Sequence, residues 1–325
     1  MHLAQLQRSN LKNWVLDWLS FCYNELVRKT LVLLLVVLFG SLLGSVYVWF
    51  FYPQKTEQEF VVELFPLENI PVFKSSALAY EDLILSATAV YALDLSSETV
   101  LYEKNSQTPL YPASTSKMMT ALVAVDSFAL DQTLRANHEA TVSGNKLGVK
   151  EGQLLTVQDL LAAMLIFSAN DSAYVLADND QLGFSNFIQK MNNKALELGL
   201  LQTHFANPAG LDEEEQKTTA RDLTIIAKEL LKNEQLKKLV AMPYQRIEGS
   251  DWSYDLYNSN QLIGQIQGVM GVKTGTTELA GEVLVAFLEK DNHQILLTLM
   301  GSQDRYQDAS QLIAWIFNNY EWKTL

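Results

Sequence analysis

The stretch Tyr111-Pro112-Ala113-Ser114-Thr115-Ser116-Lys117-Met118-Met119-Thr120-Ala121-Leu122 decides how the rest of the chain is read. It reads as a loop entering a helix: Pro112 stands at the entrance and an apolar run follows to Val125. Ser114 and Lys117 are three residues apart, so on a helix they share one face. Serine is a poor nucleophile until a neighbour takes its proton. A lysine does so when burial or a second cation lowers its pKa enough to populate the free amine. The helix start adds backbone N–H groups and partial positive charge, which favour an oxyanion there. Spacing alone does not select this pair, because Ser-x-x-Lys occurs at Ser9/Lys12, Ser114/Lys117 and Ser143/Lys146. A lone match is more often a helix cap beside a solvated lysine. Ser9 lies before a long apolar run, Ser143 precedes the turn-like Gly144-Asn145, and only Ser114 begins an apolar helix.

Two further constellations follow downstream. Ser168-Ala169-Asn170-Asp171 comes directly after the apolar run Leu154–Phe167. Facing a cleft, Ser168 can relay a proton and Asn170 can hold a substrate amide or fix Lys117; the alternative is a helix cap, for which both residue types are suited. Ser143-Gly144-Asn145 has the same spacing and competes for the role. The third is Gly271-Val272-Lys273-Thr274-Gly275-Thr276-Thr277. It is not a phosphate loop, because Val272 stands where such a loop needs glycine before the lysine. On a strand edge, Lys273 supplies positive charge, Thr274 a hydroxyl, and Gly275 room for a substrate backbone; the alternative is a polar turn between strands. Other chemistries are disfavoured. The histidines His2, His138, His204 and His293 are scattered, so no metal is expected, and there is no Gly-x-Ser-x-Gly elbow.

The N-terminal part has a different texture. From Thr30 to Gln54 there is no charged residue, long enough for the roughly 20 residues that span a bilayer. Tyr47, Trp49, Phe50, Phe51 and Tyr52 fit an interfacial aromatic belt, and Arg28 and Lys29 stand against the opposite end. The expectation is a retained anchor at 30–52 with a cytoplasmic amphipathic segment at 1–29. A linker at 53–76 and one extracytoplasmic catalytic domain at 77–325 follow. Four of the 24 basic and two of the 37 acidic residues lie in the first 52, so the remainder carries a formal charge of −15. That charge argues against a nucleic-acid partner. The single cysteine, Cys22, lies before the apolar run, so the catalytic domain has no disulfide and relies on its core.

Ala87–Leu95 and Thr99–Glu103 flank Ser96-Ser97-Glu98 as a hairpin. Helical periods recur at Ser172–Ala177, Phe184–Leu198 and Thr219–Lys232. Glu282–Glu289 and Gln294–Met300 read as strands around a Lys290-Asp291-Asn292 turn, and Ala309–Asn318 as a closing helix. Strands at both ends with helices between predict an α+β fold. Its antiparallel sheet is built from both chain ends, packed with helices, and carries a helical insertion.

In this order and with these flanks, the three constellations resemble the serine-type D-alanyl-D-alanine carboxypeptidases, the low-molecular-mass penicillin-binding proteins. PASTSKMMTAL, LIFSANDSA, NPAGLD with TARDL, and GVKTGTTELAG all look like that family, from about Ala87 to Trp315. The resemblance implies a serine β-lactamase/DD-peptidase-like fold and cleavage of peptidoglycan stem peptides ending in D-Ala-D-Ala, without a cofactor. It implies β-lactams as covalent inhibitors. It also implies Ser114 as nucleophile, Lys117 as base, and Ser168 and Asn170 as the second motif. Lys273, Thr274, Gly275 and Thr276 become the substrate edge, with the Ser114 and Thr276 backbone N–H groups as oxyanion hole and Arg305 assisting carboxylate recognition. Phe167 departs from the proline usual before the second-motif serine. A DD-endopeptidase uses the same motifs. A non-catalytic scaffold of this fold and a β-lactamase served by Glu229 also stay open.

Overall fold

The computed structural model describes residues 24, 27–41, 69–74, 83–137 and 143–323. The chain divides into two compact units, residues 1–63 and 64–325. In the first, helix α1 covers residues 27–41. This corrects the expected single-pass anchor and the topology drawn from it. No helix among the described residues is long and apolar enough to cross a membrane. At 1.5 Å per residue, 27–41 reaches only about 22 Å against a hydrocarbon core of about 30 Å. Residues 42–52 of the expected anchor, most of the segment at 1–29, and the part of the linker at 53–68 lie outside the described residues.

The second unit is built on a five-stranded antiparallel sheet. It contains β2 (Ala89–Asp94), β3 (Thr99–Lys104), β8 (Val269–Thr277), β9 (Gly281–Lys290) and β10 (His293–Ser302), in the order β3-β2-β10-β9-β8. Both ends of the chain therefore supply the sheet, as the strand-like runs predict. Asp291 and Asn292 both take positive φ (52° and 62°), the geometry of a tight hairpin turn between β9 and β10. Alternate side chains enter two cores. Tyr91, Leu93, Val283, Val285 and Phe287 join the helical side, while Val90, Ala92, Leu284, Ala286 and Leu288 join the other. Both faces are covered, which is why β9 reads as a nearly unbroken apolar run rather than an alternating one.

The far face is closed by α8 (Arg305–Asn319), capped by Asp304, whose carboxylate accepts the N–H groups of Tyr306 and Gln307. Leu312 and Ile316 are fully buried there, each contributing on the order of 2 kcal/mol by area. Asp308 ties the helix to the chain entering the sheet, accepting from Ser86 N and Ala87 N at 2.9 Å each. After α8, β11 (Tyr320–Lys323) pairs with β1 (Ile70–Phe73). Residues 70–73 of the expected linker therefore form a strand.

The helical side holds α2 (Lys117–Ser127), the β4 (Thr133–Arg135)–β5 (Leu154–Thr156) ribbon and α3 (Val157–Ala162). α4 (Asn170–Asp178), α5 (Phe184–Glu197), α6 (Ala220–Leu231) and α7 (Glu234–Ala241) complete the helices there. α6 buries Leu223, Ile226, Ala227 and Leu230 at helical spacing and is tied to β10 by Thr224 and Thr298, whose hydroxyls lie 2.7 Å apart. The β6 (Tyr244–Glu248)–β7 (Ser253–Tyr257) hairpin completes this side. Neither α7 nor that hairpin is expected from the sequence pattern.

Candidate active site

Ser114 sits in a 3-10 turn, Ala113–Ser116, immediately before α2, and Lys117 is the first residue of that helix. Neither serves as a cap. Lys117 Nζ lies 2.7 Å from Ser114 Oγ, 2.6 Å from Asn170 Oδ1 and 2.9 Å from the Ala209 carbonyl, and the residue is fully buried. The chemistry of these partners is unequal. Asn170 Oδ1 and the Ala209 carbonyl are acceptors only. A neutral amine therefore spends both N–H bonds on them and turns its lone pair to the Ser114 O–H. Burial first, and then the Lys273 charge, push Lys117 well below the ordinary lysine range, with the Asp171 carboxylate opposing.

Ala113, directly before the serine, has φ of +49°, a region costly for a residue with a Cβ. Two glycines press on it. A Cβ on Gly210 would lie 1.8 Å from the Ala113 carbonyl oxygen, and one on Gly275 would lie 2.7 Å from Ala113 Cβ and from Ser114 N. The space that Gly275 provides is thus taken by the nucleophile's own turn. Gly275 also lines the cleft.

Ser168 follows a π-helical turn, Ala163–Phe167, and occupies the left-handed region at φ +69°. α4 begins two residues later with no side-chain cap, so neither Ser168 nor Asn170 caps it, although Ser168 is the C-cap residue of the π-helical turn. Their side chains point to lysines instead: Lys273 Nζ donates to Ser168 Oγ at 2.8 Å, and Lys117 holds Asn170. The competing Ser143-Gly144-Asn145 is a wall of the same cleft. The Ser143 carbonyl accepts Asn170 Nδ2, and the Asn145 carbonyl accepts Asn170 N at 2.7 Å. Phe167 is half-buried against the helical core.

The third constellation lies within β8 and is not a turn. Lys273 pairs with Val285 and is buried; burial and then the Arg305 guanidinium bring it down to about 7. Thr274 Oγ1 lies 2.8 Å from Ser259 Oγ. Arg305 is buried and engaged: it donates to the Gly275 carbonyl at 2.7 Å, the Val283 carbonyl, Glu282, and the Thr276 hydroxyl. It braces the strand edge and lines the cleft beside Thr276. Glu229 does not line the cleft; it pairs with Lys232 at 2.6 Å.

Two positions escape sequence reasoning. Asn207 is buried, and its Oδ1 accepts three successive N–H groups, Ala209, Gly210 and Leu211, at 2.8–3.2 Å. That clamp fixes the turn whose Ala209 carbonyl holds Lys117. Asp171 accepts Leu147, Gly148 and Val149 N–H groups at 2.8–3.1 Å and pins the loop carrying Ser143–Asn145. The signals for Asn207 are the turn composition of Asn-Pro-Ala-Gly and the place of this stretch within the family-like NPAGLD. Ser114, Ser168, Asn170, Thr274, Gly275, Thr276 and Arg305 all line one cleft of about 880 Å³, with Lys117 and Lys273 behind its wall.

The model of the D-alanyl-D-alanine carboxypeptidase family (peptidase S11) matches residues 76–304. The D-alanyl-D-alanine carboxypeptidase DacF of Bacillus subtilis is 34% identical over 259 residues, 76% of this chain and 65% of that protein. This chain thus spans just under two thirds of that relative's length. A D-alanyl-D-alanine endopeptidase of Escherichia coli is 31% identical over 254 residues, 74% of this chain and 80% of the relative. Among solved structures, the DD-transpeptidase of Streptomyces K15 superposes with a TM-score of 0.69 at 29% identity, over 72% of this chain and 98% of that one.

Proposed function

Because the chain belongs to the D-alanyl-D-alanine carboxypeptidase family, peptidase S11, we propose that it is a serine DD-carboxypeptidase of peptidoglycan stem peptides, working through an acyl-enzyme on Ser114. The observation that carries this reading is the placement of the buried Lys117 Nζ 2.7 Å from Ser114 Oγ, with two acceptor-only groups, Asn170 Oδ1 and the Ala209 carbonyl, as its other partners. Lys117 takes that proton as Ser114 Oγ attacks the carbonyl between the two D-alanines. The Ser114 and Thr276 backbone N–H groups receive the oxyanion. The Thr274 and Thr276 hydroxyls, backed by Lys273 and Arg305, receive the terminal carboxylate. As the C–N bond breaks, the leaving amine takes the proton that Lys117 received from Ser114, relayed by the Ser168 hydroxyl that Lys273 holds, so Lys117 is neutral again. Water then attacks the ester, its proton passing to Lys117, and Ser114 is regenerated. β-Lactams enter the first half of this cycle and stay as covalent inhibitors.

The test measures D-alanine release from a pentapeptide ending in D-Ala-D-Ala and covalent labelling by fluorescent penicillin. Ser114→Ala abolishes both, whereas Ser143→Ala keeps the label. Labelling of a folded Ser114→Ala protein would sink the assignment. The similarity to an endopeptidase over 80% of that relative supports a second reading, cleavage of cross-links. Cross-linked dimeric stem peptides consumed faster than pentapeptide would favour it.

A further inference from the structure

A second cleft of about 770 Å³, nearly as large as the first, lies between the β4–β5 ribbon and the tip of the β6–β7 hairpin. One wall is aromatic. Trp252 directly precedes β7 and Tyr254 is its second residue; their ring centroids lie 5.5 Å apart with planes at 34°. The platform is fixed before any ligand arrives. The Trp252 indole lies on the backbone of Gly249, where a Cβ would come within 2.4 Å of it, and the Tyr254 hydroxyl lies 3.3 Å from the Gln153 side-chain amide across the cleft. The opposite rim offers Glu151, and the hairpin tip Asp251. An apolar ring face beside acceptor carboxylates matches a pyranose, which presents C–H groups on its faces and hydroxyls at its edge. With Glu151, Asp159, Glu248 and Asp251 set against Lys150 in its lining, the cleft opposes a phosphate or another anion.

The two clefts share a wall. Ser143–Asn145 line the catalytic cleft, Lys150–Leu154 line the second, and Asp171 pins the residues between them. From Asn145 to Lys150 the chain extends at most about 17 Å. A stem peptide of about five residues, with its C-terminus at Ser114, has the same reach. We propose that the second cleft is a saccharide subsite that holds an N-acetylated amino sugar of the glycan bearing the stem peptide. The proposal deepens the carboxypeptidase reading and rests on it for the identity of the sugar. Binding energy gained there, remote from the reacting bond, tethers the peptide over the nucleophile.

The test uses the full chain, with calorimetric titration of a peptide-free disaccharide of N-acetylated amino sugars. In parallel, D-alanine release is followed from pentapeptide with and without the disaccharide attached. Trp252→Ala should weaken disaccharide binding and raise KM for the glycan-linked substrate, each about tenfold. It should leave the free pentapeptide and penicillin acylation unchanged. Glu151→Gln, on the other hairpin, should weaken the same two quantities and serves if the tryptophan variant misfolds. No disaccharide binding by the wild type overturns the proposal. So does an equal rise in KM for the free pentapeptide, which would make the cleft a peptide groove. Disaccharide binding without D-alanine release would sink the carboxypeptidase reading and leave the subsite standing, and the reverse result would do the opposite.

Discussion

The two faces of the five-stranded sheet are buried by opposite means. Toward α8, Val90, Ala92, Leu284, Ala286, Leu288, Ile295, Leu297 and Leu299 present hydrocarbon, with the buried Asp94 carboxylate at the end of β2 accepting from the Trp322 indole. Toward the helices, the same sheet buries Lys273 and Thr298, and Lys117 lies fully enclosed nearby. The first face is held by area removed from water, a non-directional force. The second encloses two amines whose desolvation is unfavourable, and that cost is offset only because each amine meets fixed acceptors. The helical face thus adds chemistry to a large apolar core of its own, whereas the α8 face contributes stability alone, so substitutions on the two faces should separate the two properties.

The largest separation is expected at Lys117. Lys117→Met keeps the length and volume of the side chain but removes the base. Acylation by penicillin should fall by about 10³-fold or more, as loss of a general base does. Stability should change little, within about 2 kcal/mol. The amine's desolvation cost disappears, while Asn170, which lines the cleft, and the Ala209 carbonyl lose a donor. Stopped-flow acylation and a thermal melt on one preparation decide it. A collapse of the fold would mean that Lys117 is a structural strut first.

On the other face, Leu297→Ala opens a cavity among fully buried neighbours on β10. It should cost about 3 kcal/mol in denaturant unfolding and leave the acylation rate of the folded protein unchanged. A matching loss of acylation would break the comparison, since it would couple the apolar face to the cleft. A smaller effect is expected at Asn207. Asn207→Ala releases three N–H groups in a buried turn and loosens the Ala209 carbonyl. Acylation should slow by about tenfold, with the rising limb of its pH profile broadened. A melt shifted without any change in that profile would make Asn207 purely structural.

What is legible in the sequence follows the same division. β9 and β10 announce themselves because a strand buried on both faces must be apolar throughout, and α6 because one stripe of it is. The three chemical constellations are legible because each is short and contiguous. Contacts between distant segments leave no local trace. β1 pairs with β11 across some 250 residues, so residues 70–73 read as linker. Arg305 reads as a residue meeting substrate, and nothing local announces the five donor contacts to β8 and β9 that hold it at the cleft wall. Gly275 reads as a gap for ligand because nothing local says that Ala113 packs there. At the N-terminus the apolar run reads as one continuous spanning helix, whereas the described helix covers 27–41 and no helix among the described residues is long and apolar enough to cross a membrane.

The smallest expected effect tests how the two buried amines influence each other. An unfolded lysine titrates at roughly 10.4, whereas Lys273 in the fold lies at about 7. Between those values the unfolded state binds more protons, so stability should rise with pH from about 7 toward 10, by at most about 1.4 kcal/mol per pH unit for this group. Lys117, lowered in the same direction, adds to the slope. Above that window the trend reverses, because burial raises the Tyr91, Tyr102 and Tyr320 hydroxyls and the unfolded chain loses those protons first. Lys273→Met removes its part of the slope. It also removes the second-largest cause of the lowered Lys117 pKa and leaves the first, burial, intact. The rising limb of the acylation profile should therefore move to higher pH by less than burial alone accounts for. The shift should appear only where Lys273 carries its proton, around and below pH 7. Acylation profiles and urea unfolding of wild type and Lys273→Met, at matched pH, measure both consequences. If the stability slope flattens while the limb stays in place, Lys273 is a buried amine that does not tune the base, and its part in the cleft reduces to holding Ser168 and the substrate carboxylate.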